Sequence, residues 1–265
     1  MSGAKKKGCG RVLTLVIEAL CVAVFLYAAF RLYLIIADYK TASSEYDRLA
    51  KQAVSSAEAI EYPERETGGS MEEDGTAEVF YGSADIEGLK AVNPDTVGWI
   101  ILPDSRINYP IVKSSDNTEY LTRTFEGKKA SSGAVFMDMY CESDFSSTNT
   151  IIYGHNMKNG SMFRALNNMT GEEYFNGHRV FYIDTGDGFK QYEIISCYAT
   201  TEEDLSSWKI SFADTEEYEE WLLAVSRRCR YECAEYDVQK NTVTLSTCRG
   251  KSGGTGRFIV HLQEI

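Results

Sequence analysis

The sequence predicts a mainly β, α+β domain of about eight strands, preceded by one N-terminal transmembrane helix. Three observations lead there. Residues Val12–Phe30 form an apolar run near the start of the chain. From about Phe80, short β-rich runs are broken by Gly, Asp and Asn at a spacing suited to a sandwich or barrel. Two stretches with helical character, Met162–Asn168 and Thr215–Arg228, interrupt those runs.

The apolar run follows a basic start. Lys5, Lys6, Lys7 and Arg11 give residues 1–11 a local charge of +4 with no acid, so the remainder carries −16 of the net −12. Within Val12–Phe30 only Thr14 and Glu18 are polar; Arg31 follows, and Leu32–Ala37 continues apolar. Nineteen residues at ~1.5 Å each span roughly 28 Å, close to the ~30 Å of a hydrocarbon core. The run is too long for the apolar region of a cleaved signal peptide, and no A-x-A-like site follows it. Cys21 lies mid-span behind Leu20, which argues against a lipoprotein signal. The expected organisation is therefore a cytosolic basic segment (1–11), a transmembrane anchor (12–37), and everything after residue 38 outside the cell.

Residues 39–61 read as a second helix, with Tyr39, Ala42, Tyr46, Leu49, Ala53, Ala57 and Ile60 recurring at steps of three and four. Pro63 ends it, and Glu64–Thr76 (ERETGGSMEEDGT) reads as a polar, acidic linker. Residues 38–79 are thus a helical stalk and linker; alternatively the helix packs on the domain that follows. That domain, 80–265, starts with a short helix (DIEGLKAV) stopped by Asn93-Pro94. Its expected strands are Val97–Leu102, Tyr109–Val112, Gly133–Met137, Thr150–Tyr153, Arg179–Asp184, Lys190–Ala199, Thr242–Thr247 and Arg257–Gln263. Thr215–Arg228 is acidic at its start and basic at its end, as the helix dipole prefers.

Composition bounds the function. With 265 residues, 43% hydrophobic, 17 Tyr, 12 Phe and 4 Pro, the chain can bury a full core and is not disordered. An acidic body is a poor partner for nucleic acid phosphates. The seven cysteines, 9, 21, 141, 197, 229, 233 and 248, form no dense disulfide framework, and their odd number leaves at least one thiol unpaired or paired between molecules. Cys229 and Cys233 are four apart, as in a metal clip, but no second ligand pair accompanies them; they read as packing or surface residues, with no metal or cofactor expected.

Three places carry chemistry. NTIIYGHNMKNGSMF at 149–163 is a strand that ends abruptly at Gly154-His155. TVTLSTCRG at 242–250 is a β-branched strand ending at Cys248, and GRFIVHL at 256–262 opens with Arg257. Strand ends hold a backbone still while the side chain faces a cleft. A thiol needs a nearby base or a cation to become a thiolate, and His or Arg supplies that. Taken singly, each has a plainer reading: a buried Cys, an exposed His, an ion-paired Arg.

TLSTC followed nine residues later by an Arg resembles the signature of sortases, the membrane-anchored transpeptidases of Gram-positive bacteria. IIYGHNMKNGSMF, NPDTVGWI (93–100), NYPIVK (108–113) and the long helix before the cysteine strand resemble the class B branch, over roughly residues 80–265. The resemblance implies a closed eight-stranded β-barrel with flanking helices. It implies cleavage of an LPXTG-like sorting signal on secreted surface proteins through a Cys248 thioester. His155 would serve as acid and base, and Arg257 would bind the substrate or oxyanion. Tyr153, Ser246 and Thr247 would line the substrate groove. The thioester would pass to a cell-wall peptide amine or, alternatively, to a pilin lysine. One departure is that Arg249-Gly250 follows the cysteine, where class B members often carry acidic or aromatic residues. Rival readings fit less well. A caspase-type protease would have its His ~50 residues upstream of the Cys, whereas His155 is 93 upstream. An L,D-transpeptidase needs a His beside the Cys. A non-catalytic surface-anchored binding module would leave Cys248, His155 and Arg257 as coincidence.

Overall fold

The computed structural model describes residues 6–53, 82–250 and 253–265. Its first element, α1, is a single helix over Lys6–Ala53. The sequence analysis expected two helices there, an anchor and a segment starting at Tyr39. No Gly or Pro occurs from Arg11 to Ala53, so nothing breaks the helix at Asp38. The continuation to residue 61, Pro63, the 64–76 linker and Lys5 lie outside the described residues. The large apolar side chains from Leu13 to Ile36 are exposed, and this part of the helix is long and apolar enough to cross a membrane.

The far end of α1 docks on the domain rather than standing off as a stalk. Ala42, Tyr46, Leu49 and Ala53, four positions of the expected stripe, are buried in the main core, with Tyr39 packed at its edge. The Tyr46 hydroxyl donates to the Gly133 carbonyl (2.8 Å) and accepts from the Phe125 amide (3.2 Å). Its ring meets Tyr109 edge-on at 5.2 Å. Glu45 is buried too, and its carboxylate accepts from Thr124 Oγ1 (3.0 Å) and the Glu126 amide (2.9 Å), with Lys128 Nζ at 3.1 Å. A buried charge is retained when it is paired and hydrogen-bonded in this way.

Eight strands form a closed barrel in the order β1-β2-β3-β4-β7-β8-β6-β5. They run β1 Thr96–Ile101, β2 Asn108–Val112, β3 Val135–Met137, β4 Asn149–Tyr153, β5 Val180–Asp184, β6 Phe189–Thr201, β7 Thr242–Cys248 and β8 Gly256–Glu264. All eight coincide with the expected runs to within two residues. β2/β3 and β4/β7 are parallel, while the other neighbouring pairs are antiparallel. Closure leaves no edge strand among the eight. Trp99, Phe125, Phe163 and Phe181 are among the side chains filling the interior.

Helices flank the barrel. α2 (Ile86–Val92) starts where the Asp85 side chain accepts from the Gly88 amide. α3 (Glu172–Gly177) is short and follows a 3-10 run over Phe163–Thr170. α4 (Thr215–Ser226), capped by Asp214, packs Tyr218, Trp221, Leu222 and Val225 on Ile195, Tyr198 and Ile259 of β6 and β8. A buried polar chain ties these elements together. Asn149 Oδ1 accepts from Thr244 Oγ1 (2.7 Å), which meets His261 Nδ1 (2.8 Å). His261 Nε2 meets Tyr198 OH (2.8 Å), and Tyr198 OH meets Ser207 Oγ (3.0 Å). Beyond it, Asp204 pairs with Arg228, whose guanidinium lies 3.9 Å over the Tyr198 ring. Full burial, then the nearby Arg228 charge, push the His261 imidazole down to about 3.

Candidate active site

The parallel pair β4/β7 and the antiparallel pair β7/β8 bring the three candidate residues together. Tyr153 is registered opposite Ser246, so the next same-face positions, His155 and Cys248, leave adjacent strand ends side by side. Cys248, the last residue of β7, is itself registered opposite Arg257. The Gly154 amide donates to the Ser246 carbonyl (3.1 Å), holding the exit of β4 against β7. Residue 154 must lack a side chain, because a Cβ there would lie 2.5 Å from the Phe163 ring. The β7–β8 turn uses Gly250 (φ +88°) and Gly253 (φ +78°), a backbone region other residues rarely adopt.

Cys248 is exposed, and its carbonyl accepts from Asn167 Nδ2 (3.2 Å). His155 is half-buried, with Nε2 2.8 Å from the Leu121 carbonyl. A carbonyl oxygen only accepts, so Nε2 carries the hydrogen of this bond and Nδ1 takes no part in it. The Arg257 guanidinium is held on one side: Nη1 donates to the carbonyls of Gly254 (3.0 Å) and Gly256 (2.9 Å), and Nη2 pairs with Glu202 Oε2 (2.5 Å). The ion-paired reading of Arg257 is therefore part of its geometry in this structure.

All three residues open onto one groove of about 400 Å³, shared with Tyr153, Ser246 and Thr247. Its walls also include Leu121, Phe136, Leu205 and Trp208, with Asn117 and Glu202 at the polar side. The Tyr153 hydroxyl donates to Asp138 Oδ2 (2.9 Å), and burial followed by that carboxylate hold the phenol well above its usual range. Tyr153 thus offers its ring to the groove, not an acidic hydroxyl. Ser246 Oγ accepts from Trp208 Nε1 (3.1 Å). The Thr247 hydroxyl is buried with no hydrogen-bond partner among the described residues.

The sequence analysis did not single out Leu121, Glu202, Leu205 or Trp208. Leu121 meets His155 through its backbone carbonyl, a contact that no side-chain pattern reveals. Glu202 and Leu205 sit in TEEDLSSW, an acidic segment whose sequence reads as an ordinary turn.

The sequence matches the sortase domain family over residues 100–265. It is 34% identical to sortase B of Listeria monocytogenes over 178 residues, covering 66% of this chain and 72% of that protein. The structure resembles a Staphylococcus aureus sortase B–substrate complex at 30% identity and a TM-score of 0.64, covering 68% of this chain and 84% of that one. A Bacillus anthracis sortase B structure gives 30% identity and a TM-score of 0.69, covering 87% and 99%. The chain belongs to the sortase family of transpeptidases. Its similarity to sortase B in sequence and structure places it in the class B branch.

Proposed function

We propose that this transpeptidase attacks the peptide bond of an LPXTG-like, class B sorting signal with Cys248 and transfers the acyl fragment to a cell-wall peptide amine. The observation that carries the reading is the convergence of Cys248, His155 and Arg257 from three strand ends on one groove. The Cys248 thiolate adds to the signal's Thr carbonyl. His155 protonates the departing amine, the thioester forms, and the same imidazole deprotonates the incoming amine. Arg257 steadies the carbonyl oxygen as charge develops on it, a contribution that a pre-placed donor makes without reorganising.

The groove supports a peptide substrate. Leu121, Phe136, Leu205 and Trp208 offer an apolar wall for the signal's apolar residues, with the Tyr153 ring and Ser246 beside it. Thr247 borders the same groove, with its hydroxyl buried beneath the surface. The apolar half of α1 supports a single-pass membrane location, with the basic N-terminus in the cytosol and the barrel outside, where surface proteins and wall amines meet. The partners are then secreted proteins bearing the signal, the amine-bearing wall peptide and the bilayer.

Replacing the nucleophile tests the reading. Cys248→Ala should abolish cleavage of an LPXTG-like peptide while the protein melts as before, since Cys248 is exposed. A variant that keeps most of its cleavage rate removes Cys248 from the chemistry, whereas wild-type protein that binds the peptide without cleaving it favours the non-catalytic binding role.

A further inference from the structure

Three thiols that play no part in the proposed chemistry meet at one place. Cys197 is buried on β6, while Cys229 and Cys233 are half-buried in the irregular segment after α4. Cys229 Sγ lies 3.7 Å from Cys197 Sγ and 3.1 Å from Cys233 Sγ. A disulfide is about 2.05 Å long, so the nearer pair needs a movement of only about 1 Å to bond. The segment lies in neither helix nor strand, so that movement breaks no ladder. The sequence analysis read these two as packing or surface residues; α4 ends at Ser226, and the two cysteines face each other across a bend. Hydrogen bonds from Cys197, then from Cys233, favour the thiolate of Cys229, making it the attacking sulfur.

We propose that Cys229 and Cys233 form an intrachain disulfide, made by exchange with a disulfide oxidant outside the cell; the compartment rests on the orientation proposed above. The Cys229 thiolate attacks the oxidant's disulfide, expels one thiolate and forms a mixed disulfide. The Cys233 thiolate then attacks the Cys229 sulfur and releases the second. Two electrons pass to the oxidant, which leaves as two thiols carrying the two protons. Cys197, 3% exposed within its strand and farther from Cys229 than Cys233 is, stays a thiol because the nearer Cys233 resolves the mixed disulfide.

The bond would pin a segment that braces the catalytic strand end. Between the two cysteines, Tyr231 stacks on Phe175 at 4.8 Å and donates to the Thr170 carbonyl (2.5 Å). Thr170 closes the 3-10 run that contains Asn167, the donor to the Cys248 carbonyl.

Trypsin separates the two cysteines at Arg230, so linkage appears as Cys229–Arg230 joined to Tyr231–Lys240. Full-length protein in membranes should be quenched in acid, alkylated and digested, and the same should be done with purified Cys248→Ala protein treated with oxidised glutathione. The linked pair is expected in both, two hydrogens lighter than the separate peptides, with Cys197 alkylated. The melting temperature should rise by roughly 3–8 °C on oxidation, a shift kept in Cys197→Ser and lost in Cys233→Ser. Alkylation of both cysteines in the glutathione-treated protein, or a Cys197–Cys229 link instead, overturns the pairing. Linkage only in the treated sample overturns its formation in the cell. None of these outcomes depends on turnover, so they stand apart from the test of Cys248.

Discussion

At Arg257 the catalytic role proposed above meets a structural one. Its guanidinium spans two backbone carbonyls and Glu202 while sitting opposite Cys248 in the β7/β8 ladder. A lysine keeps the charge but loses the planar fork. Arg257→Lys should therefore be nearly as damaging as Arg257→Ala, each lowering turnover about 100- to 1,000-fold. Turnover of a sorting-signal peptide, with thermal melts alongside, decides it: lysine-variant activity within a few-fold of wild type leaves Arg257 only a charge role. His261 makes a different demand, since it is buried as a neutral ring. Its imidazole sits at about 3 in the folded state against about 6.5 when unfolded. Above pH 6.5 both states are neutral and its stability contribution is complete. As pH falls from 6.5 toward 3 the unfolded chain gains the proton and the folded chain does not, so stability drops by about 1.4 kcal/mol per unit. Denaturant midpoints at pH 6.5 and 4.5 should fall less steeply for His261→Gln than for wild type. Equal slopes would show that His261 does not stay neutral in the fold.

At the scale of elements, α1 runs from its exposed apolar half to the barrel without a break in helix. Leu49 is 3% exposed whereas Leu26 is 61% exposed on the same helix. Leu49→Ala should cost about 2–4 kcal/mol through lost burial and a residual cavity, and Leu26→Ala within about 0.5 kcal/mol. Chemical denaturation of the detergent-solubilised chain measures both, and equal small losses would mean that α1 does not dock. The stripe was legible in the sequence because it follows helical spacing. Its destination was not, because Tyr46 gains its partners only when Gly133 and Phe125, some 80 to 90 residues later, arrive beside it. The eight strands were legible for the same local reason, each being a β-branched or aromatic run between turn residues. The short helices at Glu119–Leu121, Glu172–Gly177 and Leu205–Trp208 carried no such pattern, being single turns set by their surroundings.

For the whole molecule, the topology prediction is external protease access. Protease added to intact protoplasts should release a fragment of about residues 64–265, cut within the acidic linker. Full protection would reverse the orientation, and a mature N-terminus downstream of Phe30 would show a cleaved leader. By itself the sequence determined the apolar span and the eight strands and singled out Cys248, His155 and Arg257 as candidates, because apolar runs, strand ends and turn glycines leave local marks. The closed barrel was implied by the family resemblance, but its strand order, the parallel β4/β7 pairing that sets His155 beside Cys248, and the Glu202 partner of Arg257 came only from the tertiary structure. So did the meeting of Cys197 with Cys229 and Cys233. The physical reason is range: hydrogen-bond ladders and side-chain pairs that join residues 30 to 100 positions apart depend on the closed sheet, and no local run of residues encodes them.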